Sequence, residues 1–422
     1  MPEATMGLIL VVTLALVALA FLCHPTLRSV AFTAWVFTFV AAAMVWPAGF
    51  MTWFGFDLKF LIVPLIQIIM FGMGTTLSAA DFTRVLAMPG PVVVGIVLQY
   101  TVMPFVGFGL AAAFRFEPEV AAGVILIGSA PGGVASNVIN YLARCNVPLS
   151  VTMTAISTLI SPVMTPLMMK LLAGRHVEIS FVKMMLDICN MIIVPVVAGL
   201  VANRVLYGRE RPFQRASVLI GILLASLAVA AGVWLVPAPL LGALQGGLIL
   251  GFALVGVAVL AKLVVVILLR GPKNWMDRAL PVLSMAAICF IIAIITARSA
   301  DDLKRVGAAL LAAAMLHNLL GYCLGYWGAR ALRLNVVDAR TVAVEVGMQN
   351  GGMASGLAMY TLNSAKAALA AAIFGPWQNV SGSILASWWR RRPALPSPGL
   401  APSPATAALP VQAPSTKPDC LP

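Results

Sequence analysis

Glu345, in "VAVEVGMQNGG", is a carboxylate inside an apolar segment long enough to cross a membrane. An ionised Glu in such a place costs on the order of 3 kcal/mol. No Lys or Arg lies within a helical turn of it, so a bound cation is the partner this residue type calls for. Matching oxygens stand earlier in the chain. Ser136 and Asn137 follow the interruption Pro131-Gly132-Gly133, and Ser150 and Thr154 in the next apolar run are four residues apart, which puts both hydroxyls on one helical face. Hard oxygen donors with a single carboxylate suit sodium better than a transition metal. Ser150 and Thr154 could equally bond back to their own helix, and they point to a cation site only together with Glu345.

The interruption itself occurs twice. "PGGVASN" (131–137) and "QNGGMAS" (349–355) both carry GG-x-A-S in the middle of a potential membrane span. A Pro or a Gly-Gly pair weakens a helix there, and the freed peptide groups cost several kcal/mol unless protein, water or an ion satisfies them. Either copy alone reads as small-residue helix packing. As a pair in opposite directions, flanked by amides and one carboxylate, they read as the crossing broken helices of an inverted-topology repeat.

The elements that must position these residues follow from composition. Of 422 residues 61% are hydrophobic and 10% charged, and the mean hydropathy is +1.00, which excludes a soluble globule of this size. The formal charge of +13 sits in short clusters between apolar runs, as in loops at an anionic membrane surface, and nucleic acid is not expected as a partner. The six cysteines show no CxxC and no metal-ligand spacing with the three histidines.

Thirteen candidate spans emerge, near 6–23, 29–47, 59–78, 91–114, 119–143, 147–170, 180–203, 216–237, 241–269, 279–297, 306–329, 341–361 and 367–389. Alternation from a cytoplasmic Arg28 puts the densest basic clusters inside, among them Arg204 to Arg215, Arg270 to Arg278 and Arg390 to Arg392. The N-terminus is then outside and the C-terminus cytoplasmic, as in a bacterial-type inner membrane protein. The first span lacks a basic n-region and a cleavage site, so an uncleaved anchor helix is expected. Residues 393–422, rich in Pro, Ala and Ser, are expected to be a disordered tail.

The stretches "GVILIGSAPGGVASNVINYLARCNVPLSVTMTAISTLISPVMTP" (123–166), "IIMFGMGTTLSAADF" (68–82), "LQYTVMP" (98–104), "LHNLLGY" (316–322), "VEVGMQNGGMASGLA" (344–358) and "WQNVSGSILASWW" (377–389) resemble the bile acid:sodium symporter family. The resemblance implies an all-α polytopic fold of two inverted five-helix repeats, with a panel and a core domain and crossed broken helices in the core. It implies two sodium ions as coupling ions, the first on Ser136, Asn137, Ser150, Thr154 and Glu345. The second would lie on Gln99, Glu345, Gln349 and the main-chain carbonyls of Val346 and Met348. An anionic substrate would sit beside the crossing, at Val134, Asn350 and Gly351, where helix amides present partial positive charge.

This chain departs from the family pattern in three ways. Val134 stands where members often carry Thr, and Gln378 where the family often has His, which bears on the substrate and not on the fold. Three spans exceed the ten-helix plan and are expected to be peripheral. The expected divisions are an extra N-terminal helix (1–28), the first repeat (29–175), the first helix of the second repeat (180–215), an inserted pair (216–275), the rest of the second repeat (276–392) and the tail (393–422). The expected function is sodium-coupled symport of a small organic anion by a monomer in contact with membrane lipid. Proton-coupled or uncoupled anion transport, and a non-transporting sensor of the same fold, are the alternatives. Lys183 and Asp187, four apart, read as a local ion pair, and His317 as a hydrogen-bonded helix contact. Ser129 lacks a nucleophile elbow, so no enzyme is expected.

Overall fold

An apolar run of about 20 residues has one low-cost arrangement in hydrocarbon, a helix that satisfies its own backbone. The computed structural model, which describes residues 2–24, 28–78, 83, 88–208, 210–272 and 275–392, is accordingly built almost wholly of helices. The expected tail lies outside the described residues. The first half holds α1 (Pro2–Cys23), α2 (Arg28–Val45), α3 (Ile62–Thr76), α4 (Pro89–Ala113), α5 (Pro118–Ser129), α6 (Ala135–Leu142) and α7 (Val147–Leu172). Then come α8 (Phe181–Ile188), continued through a π turn (Cys189–Ile193) into α9 (Val194–Tyr207), α10 (Ala216–Leu235) and α11 (Gln245–Lys262). The described residues close with α12 (Trp275–Arg298), α13 (Ala300–Ala331), α14 (Val336–Gly347), α15 (Gly351–Tyr360) and α16 (Ala365–Arg390). Among the described residues nine helices are long and apolar enough to cross a membrane, and every span expected from the sequence meets a helix or an interrupted helix pair.

With α10 and α11 set aside, contacts among α2 to α7 recur among α8 to α16. Their packing repeats with inverted order. The α4–α5 contact is matched by α13–α14, α5–α16 by α14–α7, α4–α7 by α13–α16, and α3–α9 by α12–α2. Helices α4 to α7 and α13 to α16 form the core domain, whereas α2, α3, α8, α9 and α12 form the panel.

The sequence marks where the core helices begin. Pro89, Pro118 and Pro148 occupy first-turn positions, where a missing N–H costs nothing. Asn146 accepts from Leu149 N (3.1 Å), Asn335 from Asp338 N (2.8 Å) and Ser364 from Ala367 N (3.1 Å), so amides orphaned at helix starts are satisfied by side chains. Between α2 and α3 a two-residue hairpin pairs Thr52 with Asp57 and Trp53 with Phe56, turned by positive φ at Phe54 and Gly55. It leaves the Asp57 carboxylate in an ion pair with Arg298 at the end of α12.

The three additional helices do lie at the periphery. α1 packs on α2 and is almost bare of other neighbours. α10 and α11 pack on each other, with α11 also against α9 and α3, around a small separate cluster that includes Leu219, Val255, Val259, Ala202 and Val205.

Candidate functional site

The two helix breaks meet in the middle of the core domain. Gly132 and Gln349 form an antiparallel bridge, with Gly133 N donating to Met348 O (3.0 Å) and Asn350 N to Pro131 O (2.9 Å). Each break therefore satisfies backbone groups of the other, which is the arrangement a broken helix needs at membrane depth. Gly133 is required by this close approach, and Gly132 leaves room for the Glu345 carboxylate. A Cβ on Gly133 would lie 2.6 Å from Gln349 O, and one on Gly132 would lie 2.9 Å from a Glu345 carboxylate oxygen. The second pair is different, since a Cβ on Gly351 or Gly352 would find its nearest neighbour at 3.5 Å or 3.6 Å, in ordinary contact.

Gln349 has its own N–H and C=O turned away from that bridge, towards α16. Gln378 takes both, accepting from Gln349 N (2.7 Å) through Oε1 and donating from Nε2 to Gln349 O (2.9 Å). One buried side chain thus does the work of a third strand. In the first repeat the corresponding service is slighter, a single bond from Gly132 N to Ser157 Oγ on α7 (3.3 Å).

Glu345, on the last turn of α14, is 1% exposed and reaches across to the first repeat. Ser136 Oγ donates to its Oε1 (2.5 Å), Thr154 Oγ1 to its Oε2 (2.9 Å), and Ser150 Oγ also to Oε1. Asn137 completes the group, its Oδ1 lying 2.7 Å from Ser150 Oγ and 3.4 Å from Thr154 Oγ1 as an alternative acceptor for their single protons. The five residues expected for the first cation site are therefore together, supplied by α6, α7 and α14. A sixth joins them that sequence reasoning missed: Asn140 Nδ2 donates to Ser150 Oγ (2.9 Å) and at 3.5 Å to Glu345. Its signal was available, because Asn140 stands four after Ser136 on the same face of α6.

The second expected set assembles differently. Gln99 on α4 donates from Nε2 to Gln349 Oε1 (2.7 Å) and to Ala130 O (3.1 Å), while Gln349 Nε2 donates to Val346 O (2.7 Å). Met348 O already accepts from Gly133. No hydrogen bond joins Gln99 or Gln349 to Glu345, whose carboxylate is committed to the first set. Each set nevertheless contains a buried acceptor with no protein donor, Asn140 Oδ1 in the first and Gln99 Oε1 in the second. Among the described residues no cation pairs with Glu345 and no group of three or more His, Cys, Asp or Glu comes together. One carboxylate, three hydroxyls and amide oxygens, two of them orphaned, are donors that fit a hard monovalent cation.

Of the residues expected at the substrate, Val134 and Gly351 are half-buried at the starts of α6 and α15. The Asn350 side chain caps α15, accepting from Met353 N (3.0 Å), and its Nδ2 approaches Met70 Sδ (3.8 Å). Elsewhere, His317 is a helix contact as expected, with Nε2 at 2.9 Å from Met103 O and its ring edge-on to Phe374. Asp187 is not: it accepts from Thr361 Oγ1 (2.9 Å), and no ion pair with Lys183 closes, because the carboxylate is buried against α15 while the ammonium stays at the start of α8.

The fold and this site define a class, helical carriers whose inverted repeats cross at a polar centre. A family model described as the sodium bile acid symporter family matches residues 63–243. The chain is 33% identical over 361 residues to the Bacillus subtilis protein called uncharacterized sodium-dependent transporter YocS, covering 86% of this chain and 91% of that one. It is 28% identical over 326 residues to the probable sodium/metabolite cotransporter BASS1, chloroplastic, of Arabidopsis thaliana, covering 77% and 66%. A solved structure of the sodium proton antiporter MjNhaP1 from Methanocaldococcus jannaschii aligns over 92% of this chain and 96% of that one, with a TM-score of 0.47 and 13% identity. The chain belongs to the sodium/bile acid symporter family and is an integral membrane protein of a family of sodium-dependent transporters.

Proposed function

We propose that this protein is a symporter that couples inward sodium flow to uptake of a small organic anion by alternating access. The observation that carries the reading is Glu345: a buried carboxylate met by Ser136, Ser150, Thr154 and Asn140 from the opposite repeat and by no basic side chain. Sodium bound among these groups and Asn137 neutralises Glu345 and ties α6, α7 and α14 into one unit. A second ion near Gln99 and Gln349, with the carbonyls of Val346 and Met348, joins the two breaks at their crossing. Once both are in place the half-helix starts at Val134 and Gly351 hold fixed amides towards an anion, and the loaded core rocks against the panel. The division into repeats, inserted pair and tail, an outside N-terminus, a cytoplasmic C-terminus in a bacterial-type inner membrane, and a monomeric working unit belong to the same proposal.

Uptake of a panel of radiolabelled organic acids into proteoliposomes, with an inward sodium gradient or with choline replacing sodium, tests it. At least one acid should accumulate only with sodium. Accumulation that follows an imposed pH gradient at zero sodium would instead make the carrier proton-coupled.

A further inference from the structure

The two half-helices α6 and α15 are mates in the inverted repeat, yet they pack unequally. α15 packs mainly on α16 but also meets the panel at its start, middle and end. At its start Asn350 Nδ2 reaches Met70 Sδ of α3 (3.8 Å). Midway, Gly356 faces Ile66 of α3 and Met191 of the π turn so closely that a Cβ would fall 2.3 Å and 2.5 Å from their terminal carbons. At its end Thr361 Oγ1 donates to Asp187 Oδ2 of α8 (2.9 Å). The main neighbours of α6 are α7, α14 and α16, all within the core, and Val138 and Tyr141 are 57% and 63% exposed. Unequal packing of symmetry mates marks which end of the seam between panel and core is shut. Contacts with the panel close the Thr361 end, and the main neighbours of the Leu142 end include no panel helix.

We propose that Asp187 and Thr361 form the latch of this gate, with Gly356 as the seat against which the panel closes; the inference rests on the alternating-access reading. The hydrogen bond links panel to core and exists only while the seam is closed, so it is a differential contact of the kind that can bias a two-state equilibrium. It also gives a buried carboxylate its polar partner inside a span, where an unpartnered one is costly. The panel side of the latch is held rigid. Asn190, in the π turn just after Asp187, accepts from Gln67 of α3 through its carbonyl (3.0 Å) and from Gly247 N of the inserted α11 through Oδ1 (2.6 Å). The π turn therefore has a purpose here: it is pinned from two sides while Asp187 and Met191 face α15. The inserted pair acts as a buttress for the gate.

The test is labelling of reporter cysteines by an impermeant maleimide, in a background with the six native cysteines replaced, in intact cells and in inverted vesicles. Ile66→Cys reports the shut end and Tyr141→Cys the open end. In the otherwise unaltered chain Tyr141→Cys should label quickly and Ile66→Cys slowly, each from one side only. Thr361→Val should raise the Ile66→Cys rate about tenfold, the size of one hydrogen bond to a charged group, and lower that of Tyr141→Cys. Asp187→Ala should do the same, the double variant should add nothing, and Thr361→Ser should restore the slow rate. Gly356→Ala, which wedges the seat against an intact Ile66 without touching the latch, should lower the labelling rate of Tyr141→Cys, as Thr361→Val does. Unchanged rates at both reporters in Thr361→Val, together with an unchanged Tyr141→Cys rate in Gly356→Ala, would overturn the proposal. Because labelling requires neither sodium nor substrate, a carrier with different coupling would still show the latch, so the two readings fail separately.

Discussion

At the scale of single residues the centre of this molecule is a carboxylate solvated by hydroxyls and amides from the other repeat. Asn140 donates to both Ser150 and Glu345 while its own Oδ1 has no donor. Asn140→Ala should therefore raise the sodium concentration for half-maximal uptake about tenfold, the usual cost of losing a residue that orients metal ligands, without abolishing transport. The sodium dependence of initial uptake rates checks this. The glycines make a sharper contrast. Gly133→Ala sets a Cβ 2.6 Å from a main-chain oxygen that cannot yield, whereas Gly352→Ala meets only a side-chain oxygen at 3.6 Å. Thermal unfolding in detergent should show Gly133→Ala destabilised by more than about 3 kcal/mol and Gly352→Ala neutral or slightly stabilised, as Gly to Ala in a helix usually is. Ser136, Ser150, Thr154 and Glu345 were legible because residue type and helical spacing alone bring polar oxygens into one apolar environment. Why the first Gly-Gly pair is needed was not, since the colliding atoms belong to a segment more than two hundred residues away.

At the scale of elements, each broken helix carries a debt of unpaired peptide groups, and neighbouring helices settle it. Gln378 on α16 satisfies both the N–H and the C=O of Gln349. Removing it leaves the buried Gln349 N–H unmet, at about 1–3 kcal/mol, and Gln349 O with only Gly351 N (3.0 Å), so Gln378→Ala should unfold at a markedly lower temperature than wild type and Ser157→Ala should lose less. Equal losses would show that the two breaks are held alike. The spans themselves were readable because hydrocarbon thickness imposes their length. The hairpin at Thr52–Asp57 and the π turn at Cys189–Ile193 were not, because a two-residue strand and one wide turn leave no periodicity to detect. The expected Lys183–Asp187 pair failed for a related reason: helical spacing foretells neighbours on one helix, and the partner of Asp187 came from another.

At the scale of the whole molecule, ten spans among the described residues carry the inverted plan, counting α5–α6, α8–α9 and α14–α15 as one each, and three helices surround it. α1 contacts little besides α2, so deleting residues 2–24 should leave sodium-stimulated uptake close to wild type in vesicles matched for protein content. Deleting the α10–α11 pair should not be tolerated as well, since it uncovers Phe71, Ala202 and Val205 and removes the amide that pins Asn190. The central claim is that Glu345 binds the coupling ion, and sodium-dependent thermal stability tests it most directly. Sodium should be raised from zero to about 100 mM at constant ionic strength with choline as the balancing cation. A ligand stabilises only the fold that binds it, by about 2.7 kcal/mol at a hundred times its dissociation constant. The wild-type protein should melt at a progressively higher temperature as sodium rises, while Glu345→Gln, isosteric but uncharged, stays flat over the same range. A wild-type protein indifferent to sodium, or a Glu345→Gln variant stabilised as much as wild type, would contradict the account.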